Sequence, residues 1–131
     1  MAMTKFREPN WVKWIGVRPG HEGEQILEHG TANNATVIIY TVPADKLLLL
    51  YGFSYNVSGT GGGIGYLSIY TAVPAVHRHL VYGNFTANTV IAFGRDFVIP
   101  IEIPAAYSVR VLSPAATMYV GVSINGILID A

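Results

Sequence analysis

The segment HRH carries two histidines, His77 and His79, which are the side chains of this sequence best suited to hold a metal. Residues two apart on a β-strand share a face, so the two imidazoles would point the same way. A catalytic zinc takes three protein ligands, and no histidine occurs after residue 79. We treat the pair as weak metal candidates, expect no cofactor, and interpret both as surface or interface histidines.

The glycine-rich stretch SGTGGGIGYLS, residues 58–68, raises the question of a phosphate-binding loop. A Walker loop needs a lysine next to its last glycine, but no Lys or Arg lies between Lys46 and Arg78. The G-x-G-x-x-G spacing of a dinucleotide site is also not matched, and a strand rather than a helix follows. We predict a hairpin tip that joins LLLLYGFSYNV to IGYLSIY, in which glycine supplies positive φ angles.

Catalysis by paired carboxylates has no clear candidates here. The acids beyond the first third of the chain are scattered over Asp45, Asp96, Glu102 and Asp130. No G-x-S-x-G nucleophile elbow is present, and without cysteine there is no thiolate nucleophile or disulfide. We therefore expect a protein that is not an enzyme.

The segment NWVKW places Trp11 and Trp14 among the cations Arg7, Lys13 and Arg18. Tryptophan and arginine are enriched at the energetic centres of protein interfaces. One hypothesis is an arm that docks on a partner or a neighbouring subunit. The other is an arm that folds back so that both indoles cap the domain.

Tyr66, Tyr70 and Tyr119 fall at positions that alternate away from the expected core, and Tyr82 joins them as a candidate ring for stacking. Tyrosines among small polar residues suit subunit packing or stacking against sugars. We predict an oligomer or glycan face, with an ordinary hydrated sheet as the alternative.

Charge is scarce, since 12% of residues are charged against a usual 25% or so. Formal net charge is zero, which disfavours nonspecific binding to nucleic acid or to an anionic membrane. A small domain has much surface to cover, so we infer that part of it is buried against other chains. A monomer covered by hydroxyl and amide groups is the alternative.

Eight of the sixteen charged residues lie in residues 1–35, which we interpret as an N-terminal arm holding one short strand at 11–17. Residues 36–131 form the packed domain, where apolar side chains alternate with period two and no helical period appears. The run MYVGVSI, for example, puts Met118, Val120 and Val122 on one face. Turn signals divide the domain into strands at 36–42, 46–57, 64–72, 75–83, 88–93, 96–103, 106–112 and 117–129.

Eight short antiparallel strands predict an all-β, two-sheet sandwich of the jelly-roll type with an extended arm, and a closed barrel is the alternative. Pro100 inside a strand predicts an edge or a bulge there. At Asn125-Gly126 the apolar positions change from even to odd, which predicts a β-bulge.

Two segments, YTVPADKLLLLYGFSYNVSGTGGGIGYLSIY and FVIPIEIPAAYSVRVLSPAATMYVGVSINGILI, resemble small jelly-roll structural proteins of tailed bacteriophages. The shared features are a VPA-x-K-x-L start to the second strand and the late IPIEIPAAYSVRVLS segment, which reads as a hairpin. The likeness covers about residues 36–130 and leaves out the arm.

The resemblance implies a virion structural protein without catalysis, of the head decoration (cement) or fibre-head type. It implies a homotrimer whose arm docks on the viral capsid or another virion protein, with no nucleic acid or membrane as partner. The chain would be made in the host cytoplasm, because no signal peptide is visible, and would end in the virion. A carbohydrate-binding fibre or tail module is the alternative function.

Overall fold

The computed structural model describes residues 23–71 and 73–131, which form eight β-strands. In chain order they are β1 (Glu24–Asn33), β2 (Ala35–Thr41), β3 (Lys46–Gly59), β4 (Gly63–Tyr70), β5 (His77–Phe85), β6 (Ile91–Pro104), β7 (Ser108–Ser113) and β8 (Met118–Asp130). Within these two ranges, no helix of a length and apolarity that would span a membrane is found.

The strands pair into two antiparallel four-stranded sheets. Sheet A has the order β1-β8-β3-β6, and sheet B has the order β2-β7-β4-β5. Of the seven connections, only β4 to β5 joins neighbours in one sheet, and every other connection crosses between the sheets. This is the jelly-roll form of the β-sandwich, so the predicted fold class is confirmed and the closed barrel is not formed.

The first strand lies inside the predicted arm. Glu24–Asn33 pairs along its whole length with β8, so the sandwich begins by residue 24 rather than at residue 36. An edge strand has one partner and buries few side chains, and here only Ile26 and Ala32 are buried. The apolar alternation that identified the other strands is therefore missing from this segment. Residues 1–22, including the strand expected at 11–17, lie outside the described residues.

The strands predicted at 88–93 and 96–103 are one strand, β6, which forms the edge of sheet A. Its register with β3 jumps from Asp96 to Ile101, so residues 97–100 form an excursion from the ladder. Pro100 lies in that excursion, which confirms the expectation of a bulged edge strand. Ile99 alternates in sequence with Phe97 and Ile101, which pack against the core, but it is 83% exposed because the excursion turns it outward.

The core lies between the sheets, where alternate side chains of both inner faces meet. Those without any exposed surface include Leu48, Leu50, Leu67, Ile103 and Val111. Burying one such side chain contributes roughly 1.5–3 kcal/mol before conformational entropy is counted. The interior is therefore the main source of stability of the sandwich.

The buried positions change from even to odd residue numbers in β3 and not in β8. In β8 the even positions stay buried through Gly126 and Leu128, so no bulge occurs at Asn125-Gly126. In β3 the register with β8 skips Tyr51, and the buried positions change there from even to odd. The extra residue sits in the partner strand, opposite the place where the sequence pattern indicated it.

Tyr55 is the largest side chain that is fully buried, and its ring stacks with Phe85 and lies against Phe93. Its hydroxyl has no hydrogen-bond partner among the described residues. Burial raises the pKa of this phenol to about 12. Gly65 makes room for it, since a Cβ at residue 65 would lie 3.1 Å from the hydroxyl oxygen.

The glycine-rich stretch is a structural connection, as predicted, but it is not a hairpin. It leads from β3 in sheet A to β4 in sheet B, and the IPIEIPAAYSVRVLS segment likewise crosses between sheets through β6 and β7. Gly59 and Gly63 have φ angles of 108° and 135°, where side chains other than glycine are strained. A Cβ on Gly59 would also overlap the carbonyl oxygen of Thr117.

Replacing Gly59 with alanine should lower the free energy of unfolding by about 1–3 kcal/mol, because strain at positive φ adds to the clash with Thr117. Urea unfolding followed by circular dichroism measures the change. Ser58→Ala, one residue earlier, is the matched control and should stay within about 0.5 kcal/mol of the wild type. Equal stability of Gly59→Ala and the wild type would contradict this account of the connection.

Candidate functional site

The residues assigned to the docking arm, Arg7, Trp11, Lys13, Trp14 and Arg18, lie outside the described residues. The other sequence-predicted site residues lie on the strands. Tyr66, Tyr70 and Tyr82 share the outer face of sheet B. Tyr119 lies on β8 in sheet A, 47% exposed, and does not join them.

The outer face of sheet B carries a continuous row of aromatic rings that ends at an arginine, and we call this row the aromatic ladder. Its members are Arg110, Tyr70, His77, Tyr66, His79 and Tyr82. The register explains the row, because β5 lies beside β4 and puts Tyr82 opposite Tyr66 and His77 opposite Tyr70. On the other side of β4, β7 places Arg110 opposite Ser68.

The rings of the ladder are in mutual contact. The His79 ring centroid lies 4.7 Å from that of Tyr66 and 4.8 Å from that of Tyr82. The His77 centroid lies 5.0 Å from that of Tyr66 and 4.8 Å from that of Tyr70. The two imidazole planes are 4° from parallel with centroids 6.1 Å apart, so the predicted shared face of the histidines is seen.

A β-bulge at Leu80 makes the ladder possible. Residues three apart on a regular strand face opposite sides, so Tyr82 would point inward if His79 points outward. The register of β5 with β4 skips Leu80, which resets the alternation and returns Tyr82 to the outer face. The sequence carries no clear signal for this bulge.

Both ring nitrogens of His77 lie near hydroxyl groups. Its Nδ1 is 2.7 Å from Ser68 Oγ, and its Nε2 is 3.5 Å from the Tyr66 hydroxyl. Desolvation lowers the pKa of His77, and the charges of His79 and Arg110 lower it further. The neutral imidazole is therefore the favoured form in the folded protein.

The Ser68–His77 pair has the spacing of a nucleophile and its base, but a substrate could not reach the serine. Ser68 has no exposed surface, so its hydroxyl cannot reach a substrate. The second nitrogen of His77 faces a tyrosine hydroxyl rather than an orienting carboxylate. Across residues 23–71 and 73–131, no cluster of three His, Asp or Glu side chains could hold a metal ion.

Sugar stacking would require open ring faces, and the ladder offers few. The Arg110 guanidinium carbon lies 3.9 Å from the centre of the Tyr70 ring and covers one side of it. Both imidazoles lie against Tyr66. Tyr82 is the ladder tyrosine with most open surface, at 58% exposure. The ladder is therefore a packed aromatic face with three groups that can carry positive charge.

A second candidate surface lies on the narrow side of the sandwich between the edge strands β5 and β6, which we call the open side. A cleft of about 480 Å³ enters the sandwich there. It is lined by Phe53, Phe93, Phe97, Leu80, Val81, Tyr82, His79 and Arg95. Beside it, the excursion of β6 exposes Val98 (91%) and Ile99 (83%). The sequence pattern does not reveal this surface, although Pro100 marks the irregular edge.

The opposite narrow side, between β1 and β2, is the closed side. A single residue, Asn34, joins these two strands, so the edges of both sheets are drawn together. A Cβ on Gly30 of β1 would lie 2.7 Å from the Ile39 side chain of β2. The two sheets are therefore in close contact on this side, and the sandwich is asymmetric.

Acidification from about pH 7.5 to about pH 5 should lower the free energy of unfolding through His77. Its folded-state pKa lies below the ordinary 6.5, so the unfolded chain binds more protons in this window. The loss of stability from protonating His77 is absent above the pKa of the unfolded state and is complete below the pKa of the folded state. Urea titrations at both pH values should show a smaller pH dependence for His77→Gln. His29→Gln, on β1 in the other sheet, is the control, and an unchanged dependence in His77→Gln would refute the assignment.

No protein-family model matches this chain, and no curated protein matches it. Among solved structures, it is similar to a chain from the work described as "Bacillus endospore appendages form a novel family of disulfide-linked pili". The two share 16% sequence identity, with a TM-score of 0.45, over 87% of this chain and 94% of that chain. A likeness of this extent carries no argument about function, and this chain contains no cysteine with which to form a disulfide.

Proposed function

We propose that this chain is a non-enzymatic structural subunit that associates with copies of itself. The observation that carries the proposal is the concentration of exposed apolar side chains on the open side. Val98 and Ile99 are 91% and 83% exposed, Val90 next to the other end of β6 is 79% exposed, and Phe93 of the same strand is 43% exposed. Exposed apolar side chains in this number along one edge of a sandwich typically mark a protein–protein interface.

The scarcity of charge supports the same proposal. With 12% charged residues, the chain has few groups that keep a monomer's surface hydrated and repel other copies. The aromatic ladder adds a second face, whose tyrosine rings could pack against another copy. Burial of such surfaces in an assembly would remove the cost of exposing them.

Within this proposal, the assembly is a tailed-phage virion and the protein decorates its capsid, most simply as a homotrimer. The jelly-roll fold and the two segments quoted above support this finer proposal. Residues 1–22 would dock on the shell through Trp11 and Trp14, with Arg7, Lys13 and Arg18 around them. Several such arms on one oligomer would bind together, so each contact can be weak.

Carbohydrate binding by a fibre or tail module is the competing function. It would use Tyr82, the most exposed tyrosine of the ladder. The packing of imidazole and guanidinium groups against the other two rings makes it the less supported of the two.

Self-association predicts a particle whose mass is a multiple of 14.2 kDa at micromolar concentration. The double variant Val98→Ser/Ile99→Ser removes two exposed apolar anchors and should raise the dissociation constant about tenfold or more. Light scattering after size-exclusion chromatography, over a range of protein concentrations, measures the particle mass and the dissociation constant. Val73→Ser, at an 85% exposed valine in the β4–β5 connection, is the control and should leave the mass unchanged. A wild-type monomer would refute the proposed function.

Capsid docking predicts that removal of residues 1–20 abolishes binding to shells of the virus that encodes the chain. The truncated protein should keep the oligomeric mass of the full chain, because the sandwich begins by residue 24. Cosedimentation with purified shells measures the binding. Undiminished binding of the truncated protein would show that the arm is not the docking element.

A further inference from the structure

The two narrow sides of the sandwich carry opposite charge. On the closed side, β1 presents Glu24 and Glu28, both exposed. Both carboxylates lie near Tyr40 of β2, whose pKa is raised first by burial and then by these two charges. The closed side is therefore acidic along the first half of its edge strand β1.

The open side carries cations at its inward positions. Arg95 on β6 pairs with Phe53, and Arg78 on β5 pairs with Ile69. Both partners face the interior, so the two arginines occupy inward positions of the edge strands, where they are exposed, and Arg95 also lines the cleft. The two acids of β6, Asp96 and Glu102, alternate to the outer face of sheet A.

The topology makes the two sides compatible as partners. Each sheet has four antiparallel strands, so its two edge strands run in opposite directions. If the next copy is placed beside the first without inversion, its β1 lies antiparallel to β6 and its β2 lies antiparallel to β5. The unpaired backbone groups of these edges can then pair across the contact, as in strand addition.

Apolar surface is available on both sides of such a contact. On the edge strands of the closed side, Leu27 of β1 and Ile38 of β2 are 64% and 52% exposed on the outer faces of the two sheets. On the open side, Val98 and Ile99 project from β6. Apolar contact would supply the affinity, and the charges would fix which sides meet.

We propose that copies of this chain associate head to tail, with the acidic closed side of one copy against the basic open side of the next. The inference rests on the self-association proposed above and specifies its interface. A twofold contact between two open sides would instead bring Arg78 and Arg95 of both copies together, which like-charge repulsion disfavours. A head-to-tail contact is heterologous, so it forms a ring, such as a trimer, when the rotation closes.

Charge exchange in the full chain tests the interface. One variant carries Arg78→Glu and Arg95→Glu, a second carries Glu24→Lys and Glu28→Lys, and a third carries all four changes. All four positions are exposed, so circular dichroism spectra should match the wild type. Sedimentation velocity over a concentration series measures the dissociation constant of each protein and of an equimolar mixture of the first two.

Each double variant should lose self-association, with a dissociation constant at least about tenfold above that of the wild type. The fourfold variant should recover it, because both sides are reversed together, and the mixture should assemble while its two components alone do not. If both double variants assemble like the wild type, the interface is wrong while self-association stands. If only the arginine variant is impaired and the fourfold variant is not rescued, the contact is twofold and the head-to-tail interface is overturned. If the wild-type chain is monomeric at every concentration, the proposed function itself is refuted.

Discussion

Alternation of inward and outward side chains along antiparallel strands is the constraint on which the rest of this structure depends. Besides the longer excursion of β6, three single-residue bulges reset it, at Ile39 in β2, Tyr51 in β3 and Leu80 in β5. Each inserts one residue and exchanges the faces of everything that follows on its strand. The bulge at Leu80 assembles the aromatic ladder, and the bulge at Tyr51 keeps both halves of β3 facing the core.

The asymmetry of the sandwich follows from its connections. The single-residue corner at Asn34 draws β1 and β2 together and seals one side of the core. On the other side, β5 and β6 are joined by residues 86–90, and the excursion of β6 turns Val98 and Ile99 outward. Aromatic side chains that would be interior in a sealed sandwich therefore line a cleft. The fold thus concentrates its apolar surface on one narrow side.

Much of the fold could be predicted from the sequence because period-two patterns report burial directly. The even positions of Met118 to Ile124 and the odd positions of Val109 and Val111 are buried as expected. β1 was not predicted because an edge strand buries too few side chains to show an alternating apolar pattern.

The bulge was predicted in the wrong strand, at Asn125-Gly126 of β8. A bulge shifts the pairing of two strands at once, and here the extra residue lies in the partner strand β3. The site is also only partly visible in sequence. Spacing pairs Tyr66 with Tyr70 and His77 with His79, but only the strand register brings the two pairs together. The open side arises from strand order and from an excursion that no local pattern encodes.

The buried phenol of Tyr55 gives the protein an internal optical marker. Its hydroxyl has no partner among the described residues, and its pKa near 12 keeps it protonated in mildly alkaline solution while the sheets stay together. Once the sheets separate, the ring meets solvent and ionises with the ordinary phenol pKa of about 10. Ultraviolet absorbance after a jump to alkaline pH would thus time the opening of the core without any attached dye.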